Sequence, residues 1–572
     1  MTGRLNALAL FFGFLLLILP FLGRGEIFQV SEGREGVVVN EILSSGNYVL
    51  PLRNGEIVPS KPILFHWFGA LAAKASGRYT EFELRLPSAI AGAATAAMIY
   101  LLVANLAGSG AGFIAAAILF STSAFYQLSM DGRVDMLFNF FVVSAIAYWL
   151  IAAARVAEQG LSLRMVEARV YLWLGILVGL AILTKGPLGL VLPLLVVGAI
   201  AFYYERWRGL VALMRWGWLI ALPVAAPWYV AASFAGKDSF VERQLFFENF
   251  LRFFGGEGIT PHPPWFYFEH LPVELLPWTP LLLAVGWLVV WQRTELPPRT
   301  PREKFAITAG LVWFVVGFVF LSLSAGKRRA YLVPLFPGLV MALVVWLQVY
   351  WRGFNWNEQQ RFFTWKGKWG GVVWIFLTST AALVPLFLPL DLWRSYTTTP
   401  KGVVALESFL EVVGTHGFFF LLLLLLLNGT ALILWLSGFK NRDLRPAIIG
   451  LFLMLHVPLA VFVNFGLILK GRTHGFKDFA AQVAVAVPQA TPIKIVKTRR
   501  DESFDGFFFY LNRHLVLLPP DGVYTEPGIY LARNSWLAAQ SEEFRGRMRI
   551  LLEGGRLTDA EERKLKLFEL QD

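Results

Sequence analysis

About thirteen stretches of this chain are long and apolar enough to cross a bilayer, each near the roughly 20 residues that a spanning helix needs. They begin near residues 5, 88, 111, 136, 170, 187, 216, 273, 305, 330, 371, 416 and 446. In hydrocarbon every backbone N–H and C=O must find its partner within the protein, so a chain patterned this way folds as a polytopic bundle of α-helices. The composition agrees, with 56% of 572 residues hydrophobic and 16% charged. A net charge of +12 would suggest nucleic acid in a soluble chain. Here much of it lies in short loops between spans, so no nucleic-acid partner is expected. The absence of cysteine excludes disulfides, thiolate metal sites and a cysteine nucleophile. The first segment, Leu5 to Leu22, lacks a small-residue cleavage site and reads as a retained signal anchor.

Loop charge sets the expected orientation. One side collects Arg155, Arg164 and Arg169; Arg206, Arg208 and Arg215; Arg293, Arg299, Arg302 and Lys304; Arg352, Arg361, Lys366 and Lys368; and Lys440, Arg442 and Arg445. Basic loops mark the cytoplasmic side. The N-terminus is then inside, and the odd number of spans puts the C-terminus outside. Two outer loops are long, 24–87 and 235–272, and the second carries the aromatic run Trp265-Phe266-Tyr267-Phe268. Loops of that length are usually functional. From about residue 466 the pattern turns to short strands and helices: a helix from Phe476, strands at 493–497, 514–518, 528–532 and 548–552, a helix from Ser535, and a last helix opened by a capping box at Thr558 to Glu561. The expected organisation is a membrane domain, 1–465, followed by a small outer α/β domain, 466–572.

The charges that interrupt the apolar pattern gather on the outer side, where they read as functional. Glu32 and Glu35 stand one helical turn apart beside Arg34, just after the first span. A carboxylate there suits orienting or deprotonating a hydroxyl; an ordinary solvated helix is the plainer reading. Lys61 lies between Ser60 and Pro62 on a stiff backbone, placed either for a lipid phosphate or to snorkel to the interface. Asp135 opens the fourth span with Arg133 as a ready partner, and Lys185 occupies a tight outer turn. Lys327, Arg328 and Arg329 break the positive-inside bias and so imply an anionic ligand, with Tyr331 able to donate a hydrogen bond to it. Arg252 can fork onto phosphate or pair with Glu248 four residues earlier. The seven histidines are scattered without metal-ligand spacing.

In order and spacing these segments resemble the bacterial lipid A aminoarabinose transferase family, a GT-C group related to the protein O-mannosyltransferases. The resemblance is carried by Gly46-Asn47-Tyr48, Lys61-Pro62, Arg85-Leu86-Pro87, Arg133-Val134-Asp135-Met136, Leu183-Thr184-Lys185-Gly186-Pro187, and Lys327 through Pro334. It implies a polytopic GT-C enzyme of the bacterial inner membrane with its active site on the periplasmic face, inverting transfer of one sugar from a polyprenyl-phosphate carrier to a lipid or glycan acceptor. By that resemblance Lys61, Arg252 and Tyr331 hold the carrier phosphate with help from Lys327 and Arg328, and Asp135 matches the second family acid. Glu32 would serve as the first, since Ser31 stands where the family has Asp. Arg34, Glu35, Arg85, Arg133 and Lys185 are expected in support. The family's metal ligands are replaced by Ser60, Phe247 and Asn249, so no metal or other cofactor is expected. A monomer surrounded by membrane lipid is the expected state. A lipid-linked sugar transporter, or a non-catalytic carrier-binding protein, remains the alternative; transport calls for polar groups near the bilayer midplane.

Overall fold

The structure, a computed structural model, describes residues 2–352 except 56, 257–259 and 292–298, then 429–438, 440, 450, 463 and 466–571 except 498–503, 514, 520–521 and 557–558. The expected spans near 371, 416 and 446, and the loop cations Arg293, Arg361, Lys366, Lys368, Arg442 and Arg445, lie outside the described residues.

Among the described residues eight helices have the length and apolarity to cross a membrane. They are α1 (Thr2–Leu22), α4 (Glu81–Ala107), α7 (Val134–Glu158), α8 (Ala168–Lys185), α9 (Leu188–Glu205), the Leu219–Gly236 part of α10 (Trp207–Phe240), α14 (Pro301–Leu323), and the run Arg329–Tyr350, which opens as a 3-10 turn and continues as α15 (Phe336–Arg352). The expected span near 273 is two helices, α12 (Phe266–Glu274) and α13 (Thr279–Trp291), bent by 112° at their junction.

The expected span near 111 is also different. α5 (Ser109–Phe120) has 12 residues, about 18 Å of helix against roughly 30 Å of hydrocarbon. The short α6 (Ser123–Leu128) completes the crossing. By Gly132 the chain is back at the face where α1 ended, since the Gly132 N–H donates to Glu32 at 2.9 Å. Apolarity alone could not reveal this break, because a broken and a continuous crossing bury the same residues.

Charge pairs mark the two ends of the bundle. At one end Arg302, on α14, pairs with Glu158 on α7 at 2.5 Å and donates to the Asn105 carbonyl on α4 at 3.1 Å; Arg352 pairs with Glu303 nearby at 2.7 Å. The opposite end carries α2 (Val30–Ser45) and α3 (Leu64–Ser76), the start of α4, and the end of α8. Beyond α10 the second long loop is mostly helical: an 11-residue π-helix, Val241–Leu251, runs into the single turn α11 (Arg252–Phe254).

The C-terminal part forms a five-stranded sheet in the order β2-β1-β3-β5-β4. β1 (Ile493–Val496) lies parallel to β2 (Leu515–Leu518) and β3 (Gly528–Arg533); β5 (Leu565–Leu570) is antiparallel to β3 and to β4 (Met548–Gly554). The four expected strands are present, while His514 and Thr558 lie outside the described residues. The expected last helix is instead a short 3-10 turn, Glu561–Arg563, followed by β5. Alternation in Leu565, Leu567 and Phe568 against Lys566 and Glu569 fills the remaining place in the sheet, and pairing on both sides overrides a local helix start.

Helix α16 (Lys477–Ala486) and the aromatic helix α17 (Asp505–Leu511) join this sheet to the membrane part. α17 packs on α2 at backbone distance: a Cβ on Gly33 would lie 2.7 Å from the Gly506 nitrogen. Asp505 pairs with Arg53 at 3.3 Å and approaches Arg34 at 4.0 Å. Tyr510 accepts from the Ile27 N–H at 2.7 Å and donates to Glu81 at 3.0 Å.

Candidate active site

A cavity of about 420 Å3 opens at the end of the bundle that carries α2 and α3. Lys61, Lys185, Arg252 and Tyr331 line it together with Glu248. These residues come from four separate parts of the chain: the α2–α3 connection, the end of α8, the π-helix with its following turn, and the 3-10 entry to α15. Much of the remaining wall is apolar, with Leu188, Val191, Phe250, Phe254, Phe320 and Leu321. A charged head region against an apolar wall fits a ligand with an anionic group and a hydrocarbon tail.

The cations are tightly held. Lys61 Nζ lies 3.0 Å from Glu248 Oε2, and Arg252 Nη2 lies 3.0 Å from the same oxygen. Burial works against the charge of Glu248, but Lys61 and Arg252 hold its carboxyl below the usual range. Burial likewise opposes Arg252, yet the Tyr331 hydroxyl and Glu248 keep its pKa above the ordinary value. Lys185 Nζ sits 4.2 Å from the Tyr331 ring centroid and 4.9 Å from that of Phe138, a cation–π seat at the cavity edge.

Asp135 stands behind this wall. Its Oδ1 accepts from Lys185 at 2.6 Å, and its Oδ2 accepts from Arg133 Nη2 at 2.7 Å and Nε at 3.1 Å. Asp135 therefore reaches the cavity through Lys185. Arg133 also donates to Gln29 at 3.2 Å, tying the start of α7 to the approach to α2.

Glu32 occupies a different place from the one its sequence position suggests. Its carboxylate takes Arg85 Nε at 2.7 Å, Arg85 Nη2 at 3.2 Å and the Gly132 N–H at 2.9 Å. Arg85 in turn donates to the carbonyls of Leu22, Arg24 and Gly25 at the end of α1. Glu32 and Arg85 do not line the cavity; they lock together α1, α2, α4 and the turn before α7. Glu35 is also turned away, its carboxylate accepting from His66 Nε2 at 2.7 Å inside the α2–α3 packing. Burial opposes the Glu35 charge, and His66 holds its pKa down. Arg34 faces Asp505 and Ser60.

Lys327 and Arg328 are also outside the cavity lining. Lys327 Nζ donates to the His262 carbonyl at 2.9 Å and to the Ser324 carbonyl, so it braces the loop before α15. Arg328 is an exposed N-cap of the 3-10 turn. The positions that would hold a metal in the resembling family do not fit one here. Ser60 offers a hydroxyl beside Arg34, Phe247 offers no ligand atom, and Asn249 Nδ2 donates to the Gln244 carbonyl. Among the described residues no group of three or more His, Asp or Glu is placed to hold a metal.

Glu248 is the residue that sequence reasoning undervalued. The i,i+4 spacing suggests a surface partner of Arg252, whereas Glu248 is buried and shared by cations from two segments. Its signal was an acid inside the aromatic run Phe246-Phe247-Glu248-Asn249-Phe250, where an unpaired charge is costly.

Residues 60–230 match the dolichyl-phosphate-mannose-protein mannosyltransferase family. Among curated proteins the chain is 29% identical over 336 residues to the undecaprenyl phosphate-alpha-4-amino-4-deoxy-L-arabinose arabinosyl transferase of Shewanella sediminis. That match covers 58% of this chain and 57% of the relative. A second such transferase, from Proteus mirabilis, is 26% identical over 347 residues, 60% of this chain and 59% of the relative. The chain thus matches somewhat over half the length of these relatives. Among solved structures, ArnT from Cupriavidus metallidurans in the apo state superposes with a TM-score of 0.68, covering 99% of this chain and 98% of that one at 18% identity. The chain has the ArnT fold. ArnT from the same organism bound to undecaprenyl phosphate gives a TM-score of 0.67 at 17% identity, covering 98% and 97% of the two chains. The likeness to aminoarabinose transferases read from the sequence therefore holds, and the superposition covers the C-terminal sheet as well as the membrane helices.

Proposed function

We propose that this protein is a glycosyltransferase that moves a single sugar from a polyprenyl-phosphate carrier to a lipid or glycan acceptor. The observation that carries this reading is the convergence of Lys61, Lys185, Arg252 and Tyr331 on one cavity with an apolar wall. The cations take the carrier phosphate and the wall takes the start of its hydrocarbon chain. As the acceptor hydroxyl oxygen bonds to the anomeric carbon and gives up its proton to water or to the departing phosphate, the bond from that carbon to the phosphate oxygen breaks and its electron pair stays on the phosphate. Fixed cations beside that oxygen stabilise the developing charge.

Asp135 is assigned as the acid of the site. It holds Lys185 at the cavity edge from behind the wall, as a positioning residue for that cation. Glu32 is assigned to the frame. The names of the relatives support a pentose, 4-amino-4-deoxy-L-arabinose, as the sugar. The basic loops at the Arg302 end support a cytoplasmic N-terminus and a periplasmic site in a bacterial inner membrane. The cations of the cavity lie at the opposite end, at the membrane face rather than the midplane, which favours transfer over transport.

The test is carrier binding and sugar transfer by Lys61→Ala and Arg252→Ala. Each variant loses one charge-assisted bond, worth roughly 1.5–3 kcal/mol, so carrier affinity should fall roughly 10- to 100-fold. Wild-type affinity in both variants would overturn the assignment of this cavity to the carrier phosphate.

A further inference from the structure

Transfer changes the charge of the carrier. The donor is a phosphodiester with one negative charge. Once the sugar has left, the carrier is a phosphate monoester with about −1.5 to −2 near neutral pH. A site built from cations alone would hold the product more tightly than the substrate and release it slowly.

Glu248 sits where it opposes that bias. Its Oε2 takes both Lys61 and Arg252 at 3.0 Å, and its Oε1 approaches Arg243 Nη2 at 3.5 Å. The carboxylate is 2% exposed and lines the same cavity. Any phosphate oxygen that uses those two cations comes beside a fixed negative charge. The cluster is not a saturated structural network either: among the described residues Glu248 Oε1 and Arg252 Nε have no hydrogen-bond partner. The supporting backbone is fastened to the Lys61 segment, because Gln244 Nε2 donates to the Pro59 carbonyl and Asn249 Nδ2 to the Gln244 carbonyl. Glu248 therefore keeps its place relative to Lys61. It is carried on a π-helix, a rare geometry frequent at functional sites.

We propose that Glu248 is a specificity-setting counter-ion that lowers the affinity of the site for the doubly charged carrier monoester relative to the singly charged diester, and so speeds product release. The inference rests on the reading that Lys61 and Arg252 bind the carrier phosphate. Glu248 acts by repulsion that grows with ligand charge, while still neutralising two buried cations that would otherwise repel each other.

The probes are a short-chain polyprenyl phosphate and its methyl diester, with dissociation constants measured for the full-length protein in detergent. In the wild type the two should bind with similar affinity. In Glu248→Gln the monoester should tighten more than the diester, raising the ratio of the two affinities by at least about fivefold, the lower bound for one charge pair near 4 Å under full water screening. Steady-state inhibition by polyprenyl phosphate should strengthen in parallel. Equal weakening of both ligands would show that Glu248 only positions Lys61 and Arg252, and would overturn the proposal. A wild-type protein that already binds the monoester more than about tenfold better than the diester would also overturn it, a result that does not depend on the variant folding. Loss of binding of both probes in Lys61→Ala, with an unchanged ratio in Glu248→Gln, would defeat the counter-ion role and leave the carrier site standing. Unchanged binding in Lys61→Ala and Arg252→Ala would defeat the carrier site itself.

Discussion

Replacing Glu32 by Gln separates a structural role from a catalytic one. The carboxylate receives two N–H groups from Arg85, at 2.7 and 3.2 Å, and the Gly132 N–H at 2.9 Å. The side chains of Glu32 and Arg85 are 1% and 7% exposed. Gln keeps the shape and one acceptor oxygen, but its amide group presents donors to a guanidinium that has only donors. Breaking a buried pair by removing one partner costs about 3–5 kcal/mol. The retained oxygen places this variant near the low end, about 3 kcal/mol. The loss should be global, because Arg85 also holds the carbonyls that end α1. The assay is SDS-induced unfolding in mixed micelles for the wild type, Glu32→Gln, Arg85→Gln and the double variant. The double-mutant cycle should return a coupling of roughly 2–3 kcal/mol, within the range seen for contacting residues. Carrier affinity of the folded fraction should be unchanged. If Glu32→Gln unfolds like the wild type while turnover falls by the roughly 10²–10⁴-fold expected for loss of a general base, the frame assignment is wrong and Glu32 is the base.

Gly33→Ala should loosen the C-terminal sheet from the membrane part, because its Cβ would lie 2.7 Å from the backbone nitrogen of Gly506 and neither helix has a side chain there to give way. Overpacking of this kind costs about 1–3 kcal/mol, read as faster limited proteolysis between the two parts, and an unchanged digestion pattern would contradict the close α2–α17 contact. Glu26 supplies a pH prediction at the same junction. Burial raises its pKa from 4.5 to about 7, opposed by the N–H of Lys477. An acid whose folded pKa is raised stabilises most below its unfolded value and loses that contribution as pH rises through the folded one. Thermal stability should therefore decline between about pH 4.5 and 7 in the wild type, and Glu26→Gln should remove that part of the decline; an identical pH slope in both would rule out Glu26 as its source.

The bundle was legible because a bilayer leaves backbone polar groups few choices, so apolar length alone marks where helices cross. The same logic exposed Lys61, Arg252 and Lys185, since charge kept at an apolar boundary needs a reason; Tyr331 stood out as a hydrogen-bond donor just after Lys327, Arg328 and Arg329. The strands at 493, 515, 528 and 548 announced themselves by short apolar runs between turn residues. Partnership was another matter. Glu32 and Asp135 look alike in sequence, an acid beside an arginine at the mouth of a span. Packing sends one to the Arg85 lock and the other to Lys185 at the cavity edge. The residues that decide this lie 50 or more positions away, and no local pattern encodes them. Glu248 was hidden for the same reason: its nearest cation in sequence is Arg252, but Lys61, 187 residues earlier, makes it part of the site. The order of residues along the chain already determines which charges had to be paired or used, because hydrocarbon penalises every other outcome. Only the tertiary structure decided which were paired with one another, since electrostatic pairing falls off with distance in space and takes no account of distance along the chain.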